Sequence, residues 1–351
     1  MVKQMTKAKK LPSGNWRACL YLGITNGKRR YKSFTAPTKK EAELLAAQYD
    51  LEHKENRYQK LSLHNAIERY IESKRNILSP STVRGYYVIL NNYCQDLMDK
   101  NISDLDQELV QISVNKLAAK YSSKTCRNVH GLIYAALRMY RPELILHTTL
   151  PRKTKKYIYV PDEQEIKDIY RLAVGSMIEV PIFLAAECGL RASEICALRF
   201  ENVKKNHIII KEAVVLGDDG NEHRKAPKSY SGYRKIPISS AAFEYLKSKA
   251  DSDGRICPYR AERICNEWCK FRQKHCINKN LNFHALRHHY ASKCILLGIP
   301  QKYIAELMGH SSTEMIEKVY QHIFPSAMEV YSDRLRVQMD ELYSTSSAES
   351  L

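Results

Sequence analysis

The sequence has no long hydrophobic run and little glycine. No stretch of eighteen uninterrupted apolar residues occurs in its 351 residues, which excludes a transmembrane helix of the usual length. Only 13 residues are glycine, and no glycine-rich loop resembles those that bind the phosphates of ATP. The N-terminal residues Met1–Met5 also lack the apolar stretch of a secretory signal. We therefore expect a soluble protein of the cytoplasm.

Cysteine is present, but it follows no disulfide or metal pattern. The ten cysteines are scattered, without the spacing of a small disulfide-linked domain, which agrees with a reducing compartment. Four candidate ligands, Cys265, Cys269, His275 and Cys276, cluster in sequence, but their spacing matches no recognised zinc pattern. The three cysteines recur at i, i+4 and i+11 of a predicted helix, so we interpret them as core residues. No carboxylate cluster indicates Mg²⁺, and we predict neither a metal nor a cofactor.

Positive charge, by contrast, is abundant. The chain has 56 Lys+Arg and 38 Asp+Glu, a net charge of +18. An excess of this size in a folded protein typically faces a polyanion, with nucleic acid ahead of a membrane surface. Residues 1–60 hold fourteen basic and five acidic residues, so +9 of the +18 lies in the first sixth of the chain. The length and the 44% hydrophobic content predict a folded protein of more than one domain.

Residues 1–60 are predicted to form a small β-sheet covered by one helix. Apolar and polar residues alternate over residues 16–22, and Asn26-Gly27 is a strong hairpin turn signal. Thr38 is predicted to cap a helix, which would cover the apolar side of the sheet. The covering residues would be Leu44, Leu45 and Ala47.

The other side of this sheet is predicted to be basic. The return strand carries Lys28, Arg30 and Lys32 on one face, and a small sheet can enter the major groove of DNA. We predict that these three residues and Arg17 contact DNA. An ordinary solvated sheet face is the alternative.

Residues 61–150 are predicted to form a compact helical domain. From Ser62 the apolar residues take a helical period, and further helices begin at Ser79-Pro80 and at Ser122. The first helix has a stripe formed by Leu63, Ala66, Ile67, Tyr70 and Ile71. The next residues, 151–159, are basic and aperiodic, which predicts an exposed linker along a phosphate backbone. Its predicted DNA contacts are Arg152, Lys153 and Lys155.

Residues 160–343 are predicted to form a third domain, helical with one strand-rich insertion, followed by a serine-rich flexible tail at 344–351. Four of its stretches combine basic residues with turn or helix-end signals: Gly189–Glu194, Lys225–Ser229, His284–His288, and Met308-Gly309-His310 with Tyr320 ten residues later. A phosphodiester gains negative charge in its transition state, which suits the fixed donors of guanidinium groups. Arg191 and Arg287 are therefore candidates, and His284 shares a helix face with Arg287.

Together and in this order, these motifs resemble the active site of the tyrosine recombinases, the family of phage and conjugative-transposon integrases. The resemblance implies a catalytic set of Arg191, Lys228, His284, Arg287, His310 and the nucleophile Tyr320, supported by Glu194 and His288. The two arginines would clamp the non-bridging oxygens, and Lys228 would protonate the leaving 5′-hydroxyl. His284 would act in proton transfer or bind the phosphate, and His310 would donate a hydrogen bond to it.

The assignments of the catalytic lysine and of the nucleophilic tyrosine have competing candidates. Lys225 and Lys235 compete with Lys228, and Tyr303 and Tyr331 compete with Tyr320. The chain also departs from the family in having Met308 before the Gly-His pair and His289 after the Arg-His pair. Both changes are conservative enough to leave the expected active site in place.

The resemblance also implies a multidomain fold that is mainly α with small β elements. An arm-binding sheet domain (1–60) and a helical core-binding domain (61–150) would precede a mixed α/β catalytic domain (160–343). Four protomers would recombine double-stranded DNA at core and arm-type sites in a bacterial cytoplasm, through a 3′-phosphotyrosyl intermediate and a Holliday junction. An excisionase and a host DNA-bending protein are open further partners. The helix after Tyr320 would dock on a neighbouring protomer or pack in cis.

Three alternative functions remain at this point. A chromosome-dimer-resolving recombinase shares the chemistry but normally lacks the arm-binding domain, so the +9 of residues 1–60 argues against it. A type IB topoisomerase shares the chemistry without exchanging partners. A non-catalytic architectural DNA-binding protein is disfavoured because every catalytic position is filled.

Overall fold

The computed structural model describes residues 7–25, 28–58, 61–154, 159–226, 232–310 and 312–348. Two predicted site residues, Lys155 and Lys228, lie outside the described residues, and Tyr320 is described only by its backbone. The chain divides into two compact units, residues 1–154 and 155–351. Among the helices of the described ranges, none combines the length and apolar character that crossing a bilayer requires.

The first unit begins with a three-stranded antiparallel sheet and one helix. The strands β1 (Lys9–Lys10), β2 (Trp16–Thr25) and β3 (Lys28–Ala36) pair in the order β1-β2-β3, and α1 (Lys39–Tyr58) follows. Thr38 caps α1 as predicted, because its hydroxyl accepts a 3.3 Å hydrogen bond from the Glu41 amide. The Glu41 carboxylate accepts from the Thr38 amide in return, at 3.3 Å, which completes a capping box.

The predicted helix contact was wrong. Leu44 and Leu45 are 57% and 43% exposed, whereas Ala42 and Ala46 are fully buried against the sheet. Residues four apart share a helix face, so the face that carries Ala42 and Ala46 turns Leu44 and Leu45 away. The small alanine side chains let the helix approach the sheet closely.

The predicted basic face was also wrong for Lys32. Lys32 pairs across the strands with the buried Leu20, so it lies on the side of the sheet that α1 covers. Its ammonium nitrogen is 3.8 Å from the ring centroid of Tyr49 in α1. The uncovered side carries Arg17, which pairs with Thr35, and a tilted contact between the rings of Tyr21 and Tyr31.

The described part of this unit continues with the α-helices α2 (Leu63–Lys74), α3 (Pro80–Asn92), α4 (Gln95–Met98), α5 (Gln107–Lys120) and α6 (Ser123–Tyr140), and with a short 3-10 helix at Ile102–Asp104. The predicted starts at Ser62 and Ser122 are confirmed, since each hydroxyl accepts from a backbone amide three residues on. The predicted stripe from Leu63 to Ile71 is buried. The helix from Ser79-Pro80 stops at Asn92, because Tyr93 has extended backbone with φ −126° and ψ 148°. Cys94, with a left-handed φ of 52°, then begins α4.

The second unit is helical around two small sheets. Its helices are α7 (Glu163–Ala173), α8 (Glu179–Ala186), α9 (Ala192–Ile195), α10 (Ser240–Lys249), α11 (Ala261–Lys274), α12 (Phe283–Leu296), α13 (Gln301–Met308) and α14 (Glu314–Ala348). Its strands are β4 (Val203–Lys204), β5 (His207–Ile210), β6 (Ala213–Leu216), β7 (Glu222–Lys225) and β8 (Arg234–Pro237). They form an antiparallel sheet in the order β4-β5-β8 and a β6-β7 hairpin. Helix α12 is central, because it packs against α8, α13 and α14.

The cysteines of α11 are not core residues. Cys265 and Cys269 of α11 are exposed, and so is Cys276, which lies beyond the end of the helix at Lys274; this corrects the prediction. The buried residues of α11 are Ile264, Trp268 and Phe271, and the Trp268 indole donates a 2.9 Å hydrogen bond to the Leu281 carbonyl. This stripe occupies one face of the helix, so the cysteines beside it turn outward.

Helix α14 carries position 320 and runs on for 28 residues beyond it. It packs in cis on α12, where the Tyr331 hydroxyl donates a hydrogen bond to the Ile295 carbonyl. Further along, Leu335 and Met339 are 57% and 50% exposed. The cis contact therefore reaches Tyr331, while the later part of the helix presents apolar side chains to solvent.

Candidate active site

Arg191 stands on a turn that only glycine can make. Gly189 has a φ of +65°, and a Cβ atom there would lie 2.5 Å from the Tyr290 ring. The next residue, Leu190, is buried and anchors the turn. Arg191 then caps the short helix α9, and its side chain is 34% exposed. The turn thus presents the Arg191 guanidinium at the protein surface, while the buried Leu190 anchors its backbone.

Glu194 is the only carboxylate among those described that bonds this guanidinium. Its Oε1 accepts from Arg191 Nη1 at 2.8 Å, and its Oε2 accepts from the Arg191 amide at 2.9 Å. Arg234 bonds the same carboxylate with a fork, Nη1 to Oε1 at 3.0 Å and Nη2 to Oε2 at 2.8 Å. Burial raises the pKa of Glu194, but Arg234, with Arg287 and Arg191, outweighs it and lowers the pKa to about 2. Glu194 is therefore a carboxylate at neutral pH.

Arg287 lies on α12 with its side chain 1% exposed. It donates to the carbonyls of Gly189 and Met308, and its Nη1 lies 3.7 Å from Glu194 Oε2. Its Nη2 is 3.1 Å from His310 Nε2. Burial, and then Arg191, lower the pKa of Arg287, while Glu194 opposes them. The Nε atom of Arg287 is buried and meets no acceptor among the described residues.

The three arginines meet at the C-terminal end of α13. Arg234 Nε donates to the Leu307 carbonyl at 2.7 Å, Arg287 Nη2 to the Met308 carbonyl, and Arg191 Nη2 to the Gly309 carbonyl at 3.0 Å. The last carbonyls of a helix lack intrahelical partners and carry its negative dipole end. Three consecutive carbonyls therefore hold the three guanidinium groups together.

His310 follows directly, because Gly309 ends α13 with a left-handed φ of 61°. Burial, followed by Arg287 and Arg191, lowers the pKa of His310 to about 3, so its ring is neutral at neutral pH. A guanidinium only donates, so the Nε2 atom beside Arg287 accepts and the proton lies on Nδ1. This Nδ1 atom is buried and has no partner in the described part of the chain.

His284 lies one helical turn before Arg287 on α12, and its ring contacts His288 edge to face with centroids 5.0 Å apart. The residue is exposed, yet desolvation first, and then Arg287 and Arg191, lower the pKa of its ring to about 4. His284 is thus a neutral imidazole at the edge of the cluster. His288 is 9% exposed and packs behind it.

Of the two predicted residues that complete the set, Lys228 lies outside the described residues and Tyr320 is described only by its backbone. Position 320 lies on α14 next to the buried Val319, which packs in one core cluster with Tyr290 of α12. Among the rivals of Lys228, Lys235 is exposed on β8, on the face opposite Arg234. The departures from the family motif fit the fold, because Met308 is buried and His289 Nδ1 donates to the Pro161 carbonyl at 3.0 Å.

Sequence reasoning missed Arg234. A strand turns alternate side chains to the same face, so Arg234 shares the buried face of Ile236, and Lys235 does not. That alternation was present in the sequence and could have separated the two basic residues. Among the described His, Cys, Asp and Glu residues, no group of three or more is arranged to hold a metal ion.

The predicted DNA contacts outside this unit are surface residues where they are described. Arg17, Arg30, Lys32, Arg152 and Lys153 are all exposed. The side chain of Lys28 lies outside the described part of the structure.

Residues 160–326 match the family model described as the phage integrase family. A tyrosine recombinase XerC-like protein of Caldanaerobacter subterraneus is 26% identical to this chain in an alignment of length 364. The alignment covers 88% of this chain and 93% of that protein. The integrase of Staphylococcus phage L54a is 25% identical and covers 67% of this chain and 79% of its own length.

Solved structures show the same fold. The Tn1549 transposon integrase in complex with circular intermediate DNA has a TM-score of 0.65 at 18% identity, over 78% of this chain and 100% of that one. A lambda integrase tetramer bound to a Holliday junction has a TM-score of 0.57 at 16% identity, over 88% of this chain and 96% of that one. These likenesses confirm the predicted fold, mainly α with small β elements.

Proposed function

Because the chain belongs to the tyrosine recombinase family, we propose that it cuts and rejoins DNA at specific sites through a 3′-phosphotyrosyl intermediate. The observation that carries this proposal is a pair of buried nitrogen donors, Arg287 Nε and His310 Nδ1, without acceptors in the described residues. A buried donor left unpaired is costly, and such groups in native proteins typically await a ligand or water. A phosphodiester supplies acceptor oxygens and the negative charge that the surrounding arginines favour.

The charge of the cluster supports the same ligand. Three guanidiniums, from Arg191, Arg234 and Arg287, share the one carboxylate of Glu194, which leaves a net charge of +2. Preorganised cations in a site with little water stabilise the extra charge of a phosphoryl transition state more than they stabilise the ground state. The site is therefore suited to accelerate a reaction at a phosphodiester as well as to bind one.

The reaction then follows from the proposed roles. The Tyr320 oxygen attacks the scissile phosphorus and its proton passes to the neutral His284, while Arg191, Arg287 and the His310 Nδ1–H bind the non-bridging oxygens. The bond from phosphorus to the 5′-oxygen breaks, and Lys228 donates a proton to that oxygen. The 3′-phosphotyrosyl bond keeps the energy of the phosphodiester, so the 5′-hydroxyl of a partner strand can attack it and release Tyr320.

The partners follow from the relatives. The Tn1549 and lambda integrase structures were solved with DNA, one of them as a tetramer on a Holliday junction, which supports a DNA-bound tetramer here. We assign residues 61–150 to core-site binding, 160–343 to catalysis and 1–60 to a second, arm-type site. Arg17 on the uncovered sheet face and the exposed Arg30, Arg152 and Lys153 are proposed DNA contacts. The integrase of a bacterial mobile element, acting in the cytoplasm, fits these assignments.

A chromosome-dimer-resolving recombinase is the second candidate. The XerC-like relative favours it, because the alignment covers 88% of this chain and 93% of that protein. The two functions differ in their DNA, since the integrase reading requires a second, sequence-distinct footprint made by residues 1–60. A footprint confined to one core site would favour the resolvase reading.

The nucleophile gives the direct test of this function. We expect the wild type to form an SDS-resistant adduct on nicked duplexes tiled across the DNA that flanks the gene. Tyr320→Phe should bind the same duplexes equally and form none, because only the attacking oxygen is lost. Tyr303→Phe is the matched control, since Tyr303 is a 53% exposed tyrosine of α13, and it should form the adduct at the wild-type rate.

Two results would contradict the assignment: an adduct with Tyr320→Phe, or its loss with Tyr303→Phe. Transfer of the adduct to a second duplex separates a recombinase from a type IB topoisomerase. The topoisomerase would instead relax any supercoiled plasmid, and an architectural protein would leave all DNA uncut.

A further inference from the structure

Arg234 is buried like Arg287, but unlike Arg287 it leaves no buried side-chain nitrogen without a partner among the described residues. Its side chain is 4% exposed, and each of its three guanidinium nitrogens already donates to a carboxylate or carbonyl oxygen of the protein. The Nη atoms bond both oxygens of Glu194, the Nε atom bonds the Leu307 carbonyl, and Nη1 also lies 3.4 Å from the Gly232 carbonyl. A role for Arg234 must therefore act through these neighbours.

Any effect of Arg234 on the reaction would pass through its neighbour Glu194. Its Oε2 accepts from Arg234 at 2.8 Å, while Arg287 Nη1 stands off at 3.7 Å from the same oxygen. Without Arg234, Glu194 would keep the Arg191 guanidinium on Oε1 and the Arg191 amide on Oε2, but each oxygen would lose one donor. Arg287 Nη1, 3.7 Å from Oε2, is the guanidinium placed to fill the vacated position on that oxygen. Arg287 would then bond Glu194 at the expense of the phosphate.

The net charge of the arginine cluster also indicates that loss of Arg234 would weaken stabilisation of the transition state. With Arg234 the cluster has three guanidiniums for one carboxylate, and without it only two. The net charge would fall from +2 to +1 in a buried site, where each charge counts for more than it does in water. A phosphoryl transition state would lose stabilisation although neither Arg191 nor Arg287 had been changed.

The bond to Leu307 places Arg234 in the same frame as the other two arginines. The carbonyls of Leu307, Met308 and Gly309 accept from Arg234, Arg287 and Arg191 in turn. The turn that these carbonyls form leads into His310. Arg234 is thus fixed to the carboxylate on one side and to the phosphate-facing turn on the other.

We propose that Arg234 is a positioning residue, which saturates Glu194 so that Arg191 and Arg287 keep their outward donors for the scissile phosphate. The inference rests on the proposed function. It assigns a role in the reaction to a residue outside the expected catalytic set, and that role passes through Glu194 rather than through Lys228.

The test measures single-turnover cleavage at saturating DNA, on the flanking-DNA duplex that gives the wild-type adduct. Arg234→Met should lower the rate constant by about 10²-fold, the scale seen when one preorganised donor is lost, with DNA affinity within about threefold of wild type. Arg234→Lys keeps the charge but cannot bond both oxygens, so we expect a loss of about tenfold. Arg224→Met is the matched control, because Arg224 on β7 pairs with Glu212 at 2.9 Å and is 44% exposed. It should cleave at the wild-type rate.

A double-mutant cycle with Glu194→Gln shows whether the effect passes through the carboxylate. The Arg234→Met/Glu194→Gln variant should be no slower than the slower single variant, because the second change removes a partner already lost. Multiplied losses in the double variant would overturn the proposal. The double variant removes the buried carboxylate together with the arginine that bonds both its oxygens, while Arg287 keeps its carbonyl partners at Gly189 and Met308. It therefore provides a second measurement if Arg234→Met alone unfolds, and thermal unfolding checks the fold of each protein.

A substrate with sulfur in place of the 5′-bridging oxygen separates Glu194 from Lys228. A thiolate leaves without a proton donor, so this substrate should restore much of the rate of Lys228→Ala but not that of Arg234→Met. Restored cleavage by Arg234→Met would overturn the proposal, and so would wild-type rates for folded Arg234→Met or Arg234→Lys. Absence of any adduct with the wild type would instead refute the proposed function.

Discussion

The chain holds its positive charge in two different ways. On the N-terminal sheet, Arg17 is exposed on the uncovered face, and Lys32 lies on the other face with its ammonium over the Tyr49 ring. In the second unit, three guanidiniums converge on Glu194 and on the end of α13, and two of them are 1% and 4% exposed. Exposed charges attract DNA over a distance and are screened by salt, whereas buried and fixed charges can stabilise a transition state. Charge counted along the sequence does not distinguish these two uses.

The largest difference that we expect between the arginine cluster and the N-terminal sheet is the effect on cleavage of replacing an arginine with a lysine. Arg191→Lys keeps the charge but loses the bond to Glu194 or the bond to the Gly309 carbonyl, since an ammonium cannot reproduce the fork. We expect cleavage to fall by about 10²-fold. Arg17→Lys makes the same change on the exposed sheet and should leave cleavage unaltered. Near-normal cleavage by Arg191→Lys would remove this residue from the site.

A smaller effect is expected for the charge of the sheet. Arg17→Ala should weaken binding to the arm-type site and reduce the slope of log K against log salt by about 1, the value for one phosphate contact. Lys32→Ala removes the same charge from the helix-covered side and should change the slope less. Equal slopes for the two variants would show that the faces of the sheet do not differ in DNA binding.

The smallest effect is a dependence of stability on pH. The pKa values of His284 and His310 are lowered to about 4 and about 3, below the ordinary value near 6.5 of an unfolded chain. The unfolded state therefore binds more protons below pH 6.5, so the free energy of unfolding should fall as the pH drops from about 6.5 toward 4. Denaturant unfolding at a series of pH values measures this slope, and His310→Asn should flatten it. An unchanged slope in that variant would mean that His310 does not carry the lowered pKa.

The sequence predicts the structure correctly where the pattern involves residues close together in the chain. The stripe from Leu63 to Ile71 and the caps at Ser62 and Ser122 depend on neighbours within a few residues, and the structure contains them. The order of the catalytic motifs likewise predicts the match of residues 160–326 to the phage integrase family model, without any structure. Local patterns survive folding because the same helix carries all their members.

The sequence was insufficient where the outcome depends on which face another element covers. Alternation along the strand predicts the wrong side for Lys32, because the position of α1 is set by Ala42 and Ala46, not by its leucines. Cys265 was placed in the core although the stripe of Trp268 already filled that face of α11. Choices of face are made by tertiary packing, which alternation along one element does not contain.

Arg234 belongs to the same class of omission. Its partners, Glu194 and Leu307, are 40 and 73 residues away in the chain, so no local pattern joins them. Alternation with Ile236 could have shown that Arg234 is buried, but not which carboxylate it meets. The composition of the cluster is therefore a result of the fold.

The central claim is that Tyr320 forms the covalent bond to DNA, and the most direct measurement locates that bond. Wild-type protein would be trapped on a nicked duplex labelled at each strand end, digested with protease, and the DNA-linked peptide identified by mass spectrometry. We predict a peptide that contains Tyr320, joined through its phenol oxygen to a 3′-phosphate, with a free 5′-hydroxyl on the other product. A nucleotide linked to another residue, or attached through its 5′-phosphate, would contradict the account.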